Sequence, residues 1–167
     1  AIVTFDMQGG SGGTSSVDAT YNEPMPPIEV PTLTNYAFDG YFTQANGQGT
    51  KYYNADGSSA KTCDLTEATT LYANWVEKTY TVTLVANGGS GGTNSVTVKY
   101  GESMPAITVP SRPGYTFGGY YGDNGTGYAY YSSNGNSVRT YDLTTNTSLY
   151  AIWTVNTYTV NLDSQEG

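Results

Sequence analysis

Four acidic residues stand where carboxylates could do acid/base work: Glu23 and Asp64, and the matching Glu102 and Asp142. A carboxyl pair is catalytic when one member donates a proton across a reacting bond and the other accepts or attacks. Each pair is separated by some 40 residues, and no spacing rule brings its members together. Asp64 and Asp142 both begin an Asp-Leu-Thr run, where a carboxylate that accepts backbone N–H bonds at a turn is the simpler role. The chain has no histidine and one cysteine, Cys63, so His-dependent triads, thiol–imidazole pairs, zinc sites and an internal disulfide are excluded within it. No catalytic residue, metal site or cofactor is expected.

The stretch GGSGGT occurs twice, at 9–14 and 88–93, and raises phosphate binding. A phosphate loop of that kind needs Gly-Lys-Ser/Thr opening a helix. Here each copy runs into an alternating segment, Val96 and Val98 between Ser95, Thr97 and Lys99 in the second, so a wide hairpin loop is expected. Asp123-Asn124-Gly125 and Asn134-Gly135-Asn136 lack the ligand spacing of a calcium loop and read as turns. Lysine–asparagine cross-linking is discounted, because no lysine recurs between the two halves.

The 17 tyrosines are the remaining source of chemistry. Neighbours on a strand face opposite sides, so Tyr121, Tyr128, Tyr130 and Tyr131 cannot all point inward. Exposed members could stack on sugars or anchor a protein partner. The plainer role is cross-strand pairing on a solvent-facing sheet surface.

Positioning these residues falls to an internal repeat. Gly9 matches Gly88 at an offset of 79, and Trp75 matches Trp153 at 78, with roughly half of the positions identical between. Within a copy, Tyr80, Val82 and Leu84 alternate with threonines, and Leu149, Ala151 and Trp153 share one face of a closing strand. Between them Met104, Ile107 and Val109 lie among prolines, which permits one helical turn around SMPAI at most. The predicted fold is mainly β, in small units at 1–78 and 79–156. The segment 157–167 repeats the opening of the second copy, so a third copy is expected to begin there. Its strand, Tyr158 to Leu162, is expected to dock on a neighbouring sheet.

Net charge is −8 and the six Lys and Arg are scattered, which makes nucleic acid or an anionic membrane a poor partner. No apolar run reaches the ~18 residues of a membrane span, so this segment is not expected to insert. With under 80 residues per unit and no disulfide, Trp75/Trp153, Phe38/Phe117, Tyr36/Tyr115 and Leu71/Leu149 are expected to supply much of each core.

The order of a strand, a GGSGGT loop, a second strand leading to Tyr-x-Glu-x-Met-Pro, then GYTFGGYY, a YYSSNG turn, DLT and LYAIW resembles the Listeria/Bacteroides repeat, which includes the B-repeat of internalin-type surface proteins. The resemblance covers both full copies and the start of the third. It implies tandem β-grasp, ubiquitin-like units in an elongated array on a secreted or wall-anchored bacterial protein. The implied role is non-catalytic: a stalk or spacer with adhesion or host contact, its partners neighbouring repeats and a glycan or a host or matrix protein. The first copy departs locally, with Leu33-Thr34-Asn35 where the second has Arg112-Pro113-Gly114, and Cys63 where the second has Tyr141.

Overall fold

A computed structural model describes residues 1–165. The chain forms two compact units, Ala1–Lys78 and Thr79 onward. Unit 1 contains β1 (Ile2–Asp6), β2 (Ser16–Asp18), β3 (Tyr36–Phe42), β4 (Lys51–Tyr53) and β5 (Thr69–Glu77). Unit 2 contains β6 (Thr79–Val85), β7 (Ser95–Lys99), β8 (Tyr115–Tyr121), β9 (Ala129–Tyr131) and β10 (Thr147–Val155).

Each unit is one five-stranded sheet, in the orders β2-β1-β5-β3-β4 and β7-β6-β10-β8-β9. The first and last strands of a unit lie side by side and parallel, with Phe5 opposite Leu71 and Leu84 opposite Leu149, and every other pairing is antiparallel. The proline-bearing crossover between the second and third strands contains no helix, not even the one turn that its sequence permits. The helical content among the described residues is a short 3-10 turn at Asp123–Gly125.

The GGSGGT loop closes the hairpin of each unit. Its second glycine serves an approach that no other residue allows: a Cβ on Gly10 would lie 2.4 Å from the Trp75 indole, and one on Gly89 2.4 Å from that of Trp153. The indole N–H beneath donates to Met7 O at 2.9 Å in unit 1 and to Ala86 O at 2.8 Å in unit 2. The loop thus clamps the closing strand's tryptophan.

The cores correct the expected arrangement of aromatics. Tyr41, Tyr53, Tyr120 and Tyr131 are fully buried, whereas Tyr36 is more than a third exposed. A bulge turns the buried pair Tyr41 and Tyr120 inward. In β3 the register against β5 shifts between Phe38 and Gly40, and Gly40 takes φ 140° with a backbone that leaves no room for a Cβ beside Tyr53 O. The extra residue puts Tyr41 on the same side as Phe38, their rings 5.1 Å apart, where strict alternation would send it out. Gly119 has φ 116° and the same relation to Tyr131 O, and Phe117 and Tyr120 meet at 5.2 Å.

Residues 158–162 are not a strand and do not dock: Tyr158, Val160 and Leu162 are each at least 75% exposed. Their counterparts Tyr80, Val82 and Leu84 are buried in unit 2 because β7 and β10 flank β6, and the tail has no such flanking strands. Glu166 and Gly167, the end of the expected third copy, lie outside the described residues.

Candidate functional site

The four tyrosines singled out by sequence separate in the structure. Tyr128 is 69% exposed and Tyr121 is half-buried, but Tyr130 and Tyr131 are buried. Tyr131 points into the core, and its hydroxyl donates to Pro105 O at 2.6 Å. Tyr130 points the other way, as the alternation of β9 requires, yet it is covered as well. The chain turns at Asn134-Gly135 and runs back beside β9, with Val138 N donating to Tyr130 O at 3.0 Å, which lays Arg139, Tyr141 and Asp142 over the ring. Sequence alternation could not anticipate cover supplied by an irregular segment.

What assembles there is a cluster that recurs in both units. The Tyr130 hydroxyl donates to Asp142 Oδ1 at 2.5 Å, and Arg139 donates to Asp142 Oδ2 from Nε at 2.8 Å and from its terminal nitrogen at 2.5 Å. In unit 1 the Tyr52 hydroxyl donates to Asp64 Oδ1, and Lys61 Nζ lies 2.5 Å from Asp64 Oδ2. The recurrent aspartate is therefore held mainly by a phenol and a cation, in place of the turn-capping role expected for it. Lys61 and Tyr52 keep the Asp64 carboxyl below the usual range. Burial works to raise that of Asp142, and Tyr130 and Arg139 outweigh it and hold it low. The Tyr52 and Tyr130 phenols are pushed up to about 12, by burial first and then by the neighbouring carboxylate. A low carboxylate beside a high phenol is a closed ionic latch, and no proton is available there for transfer near neutrality.

Beside the latch of unit 2 lies a hollow of about 250 Å³, lined by Tyr128, Tyr130, Asp142, Asp123, Leu143 and Thr147 among others. The Arg139 guanidinium sits 4.0 Å from the Tyr128 ring centre, which holds the exposed ring in place. Glu102 does not line this hollow, and its side chain is exposed. Unit 1 has Thr50 at the position of Tyr128 and forms no such stack there.

A small all-β sheet built twice in tandem, each copy closed by the same Tyr–Asp–cation latch, places the chain among tandem β-repeat proteins. The chain belongs to the Listeria-Bacteroides repeat domain family, whose model matches residues 2–74 and 80–152. It is similar to a protein of Evansella cellulosilytica named as a Gly-rich membrane protein, 33% identical over 99% of this chain and 17% of the relative. A second protein of that organism, named as a membrane protein, is 34% identical over 59% of this chain and 14% of its own length. The chain thus spans less than a fifth of either curated relative. No solved structure matches. No helix among the described residues is long and apolar enough to cross a membrane.

Proposed function

We propose that this chain is a non-catalytic repeat module of an extracellular, surface-attached bacterial protein, serving as a spacer. The observation that carries this reading is the duplication of structure without duplication of an open site. Core, bulge, indole clamp and latch are built in both units, while the exposed chemistry differs between them. Features under common constraint are those that keep the unit folded. The strand order with its parallel central pair supports reading each unit as a β-grasp sheet whose crossover carries no helix. The surface association of the family and the names of the two relatives support the location.

A second reading is favoured by Tyr128, an exposed aromatic held over a hollow by Arg139, a residue pair of the kind that dominates protein interfaces. In it unit 2 contacts a host or matrix protein through Tyr128 and Tyr121. Surface plasmon resonance of the 167-residue chain against collagen, fibronectin and laminin separates the two. A spacer gives no saturable binding; a contact module gives binding that the still-folded Tyr128→Ser variant loses.

A further inference from the structure

We infer that unit 1 carries a binding cleft for a neutral oligosaccharide, formed by Tyr36, Trp75 and Leu33 with the side-chain amides of Gln8, Asn46 and Asn74. These six residues line a hollow of about 350 Å³. A second hollow of about 280 Å³ shares Leu33, Tyr36 and Trp75 with it and continues toward Val30 and Phe38, so the aromatic ridge is open along both flanks. The first volume is at the lower end of the ~300–1,000 Å³ range of small-ligand sites and the second just below it, and together they suit a short chain of sugars better than a single ring.

The polar groups identify the ligand. Neither the Gln8 nor the Asn46 side-chain amide has a hydrogen-bond partner among the described residues, and Asn74 spends its amino group on Asp39 at 2.9 Å while its Oδ1 stays uncommitted. An amide presents one acceptor and two donors on neighbouring atoms. That pattern matches adjacent sugar hydroxyls, each of which both donates and accepts. A proline-rich peptide would offer the cleft mainly carbonyl acceptors and leave the amide oxygens unmatched. The 350 Å³ hollow, where the three amides sit, has no carboxylate or cation in its lining, and Lys78 is the one charged residue lining the second hollow, so the amide-lined part selects neither an acidic nor a basic sugar. The platform is rigid: the Trp75 N–H is committed to Met7 O and the ring is clamped by Gly10, so little order need be gained on binding.

Unit 2 differs at the same place. Arg112 stands where unit 1 has Leu33 and stacks 3.7 Å from the Tyr115 ring centre. Asn87, which matches Gln8, is tied to Ala151 O at 3.2 Å, and Ile152 replaces Asn74. One repeat thus shows the cleft open and amide-lined, and in the other an arginine stacks on the matching tyrosine while the matching amides are tied or replaced.

The test is an NMR titration of the whole 167-residue chain with cellohexaose, laminarihexaose, mannohexaose and chitohexaose, following the two indole N–H signals. The expected result is a saturable shift of the Trp75 signal with at least one of these sugars and no shift of Trp153. Leu33→Arg copies an arrangement that unit 2 already folds with, and it should weaken binding at least about tenfold, as should Gln8→Ala with Asn46→Ala. The inference is overturned by no response to any of the four sugars, by undiminished binding in folded Leu33→Arg, or by a hexaproline peptide shifting Trp75 where the sugars do not. It stands apart from the spacer and matrix-contact readings, which are decided by Tyr128→Ser on matrix proteins, so failure of one leaves the other in place.

Discussion

Tyr141→Cys should cost unit 2 a large part of its stability, because it rebuilds in that unit the position that unit 1 fills with Cys63. Tyr141 is fully buried, its ring 5.9 Å from Tyr80 and 6.3 Å from Tyr130, and its hydroxyl donates to Thr145 O. A buried aromatic covers about 200 Å², roughly 5 kcal/mol at ~25 cal/mol per Å², of which a thiol keeps somewhat less than half. The carbonyl of Thr145 is exposed and regains water, so its lost hydrogen bond adds at most about 1 kcal/mol. Partial collapse of the cavity offsets little, since the facing rings are pinned by neighbours of their own. The total, about 3–4 kcal/mol, corresponds to a fall of about 12–30 °C in the melting midpoint of a unit this size. Each unit has a single tryptophan, so the indole N–H signals of Trp75 and Trp153 report the units separately during a thermal series. The Trp153 transition should move by that amount while Trp75 stays. A shift of less than about 4 °C would mean that Tyr141 does not help hold the core.

Alkali should unfold both units between about pH 10 and 12. Tyr41, Tyr52, Tyr53, Tyr130 and Tyr131 are each pushed up to about 12, chiefly by burial. Above pH ~10 the unfolded chain sheds phenolic protons that the folded chain keeps, so stability is full below that point and is lost as pH rises through 12. Phenolate absorbance and sheet circular dichroism should change together; phenols titrating near 10 in a still-folded chain would refute the burial argument. Gly119→Ala should destabilise unit 2 by about 2–4 kcal/mol, since a Cβ there would lie 2.2 Å from Tyr131 O at a φ that L-residues rarely adopt, and urea denaturation followed at Trp153 checks it. Tyr120→Phe should leave unit 2 as stable or raise it by about 1 kcal/mol, because the removed hydroxyl is buried without a hydrogen-bond partner among the described residues. A fall of that size in calorimetry would show that the hydroxyl is satisfied.

Strands were legible in the sequence wherever alternation was regular. Tyr80, Val82 and Leu84 in β6, Val96 and Val98 in β7, and Leu149 and Ala151 in β10 are buried as their spacing dictates. Alternation failed at the bulges, where one glycine turns Tyr41 and Tyr120 inward, and at β4 and β9, where an irregular return segment buries both faces. The tyrosine excess was therefore misplaced in part: it builds the cores as much as the surface. The recurrence of Asp64 and Asp142 was visible, but their partners were not, because Lys61 and Arg139 differ in type and conserve only the charge. The amide-lined cleft of unit 1 left no motif, since Gln8, Asn46 and Asn74 come from two loops and a central strand that meet only when the sheet forms.

The parallel contact between the first and last strands has a mechanical meaning. Unit 1 is entered at the start of β1 and left at the end of β5, and because the two run the same way, those points lie toward opposite ends of the pair. Tension applied through the chain therefore slides β5 along β1, stretching the hydrogen bonds from Val3↔Thr69 to Asp6↔Tyr72 together, and cannot peel them apart one at a time. The same holds for β6 and β10, from Val82↔Thr147 to Val85↔Tyr150. A force applied to the ends of either unit must break its central seam all at once before any residue is paid out.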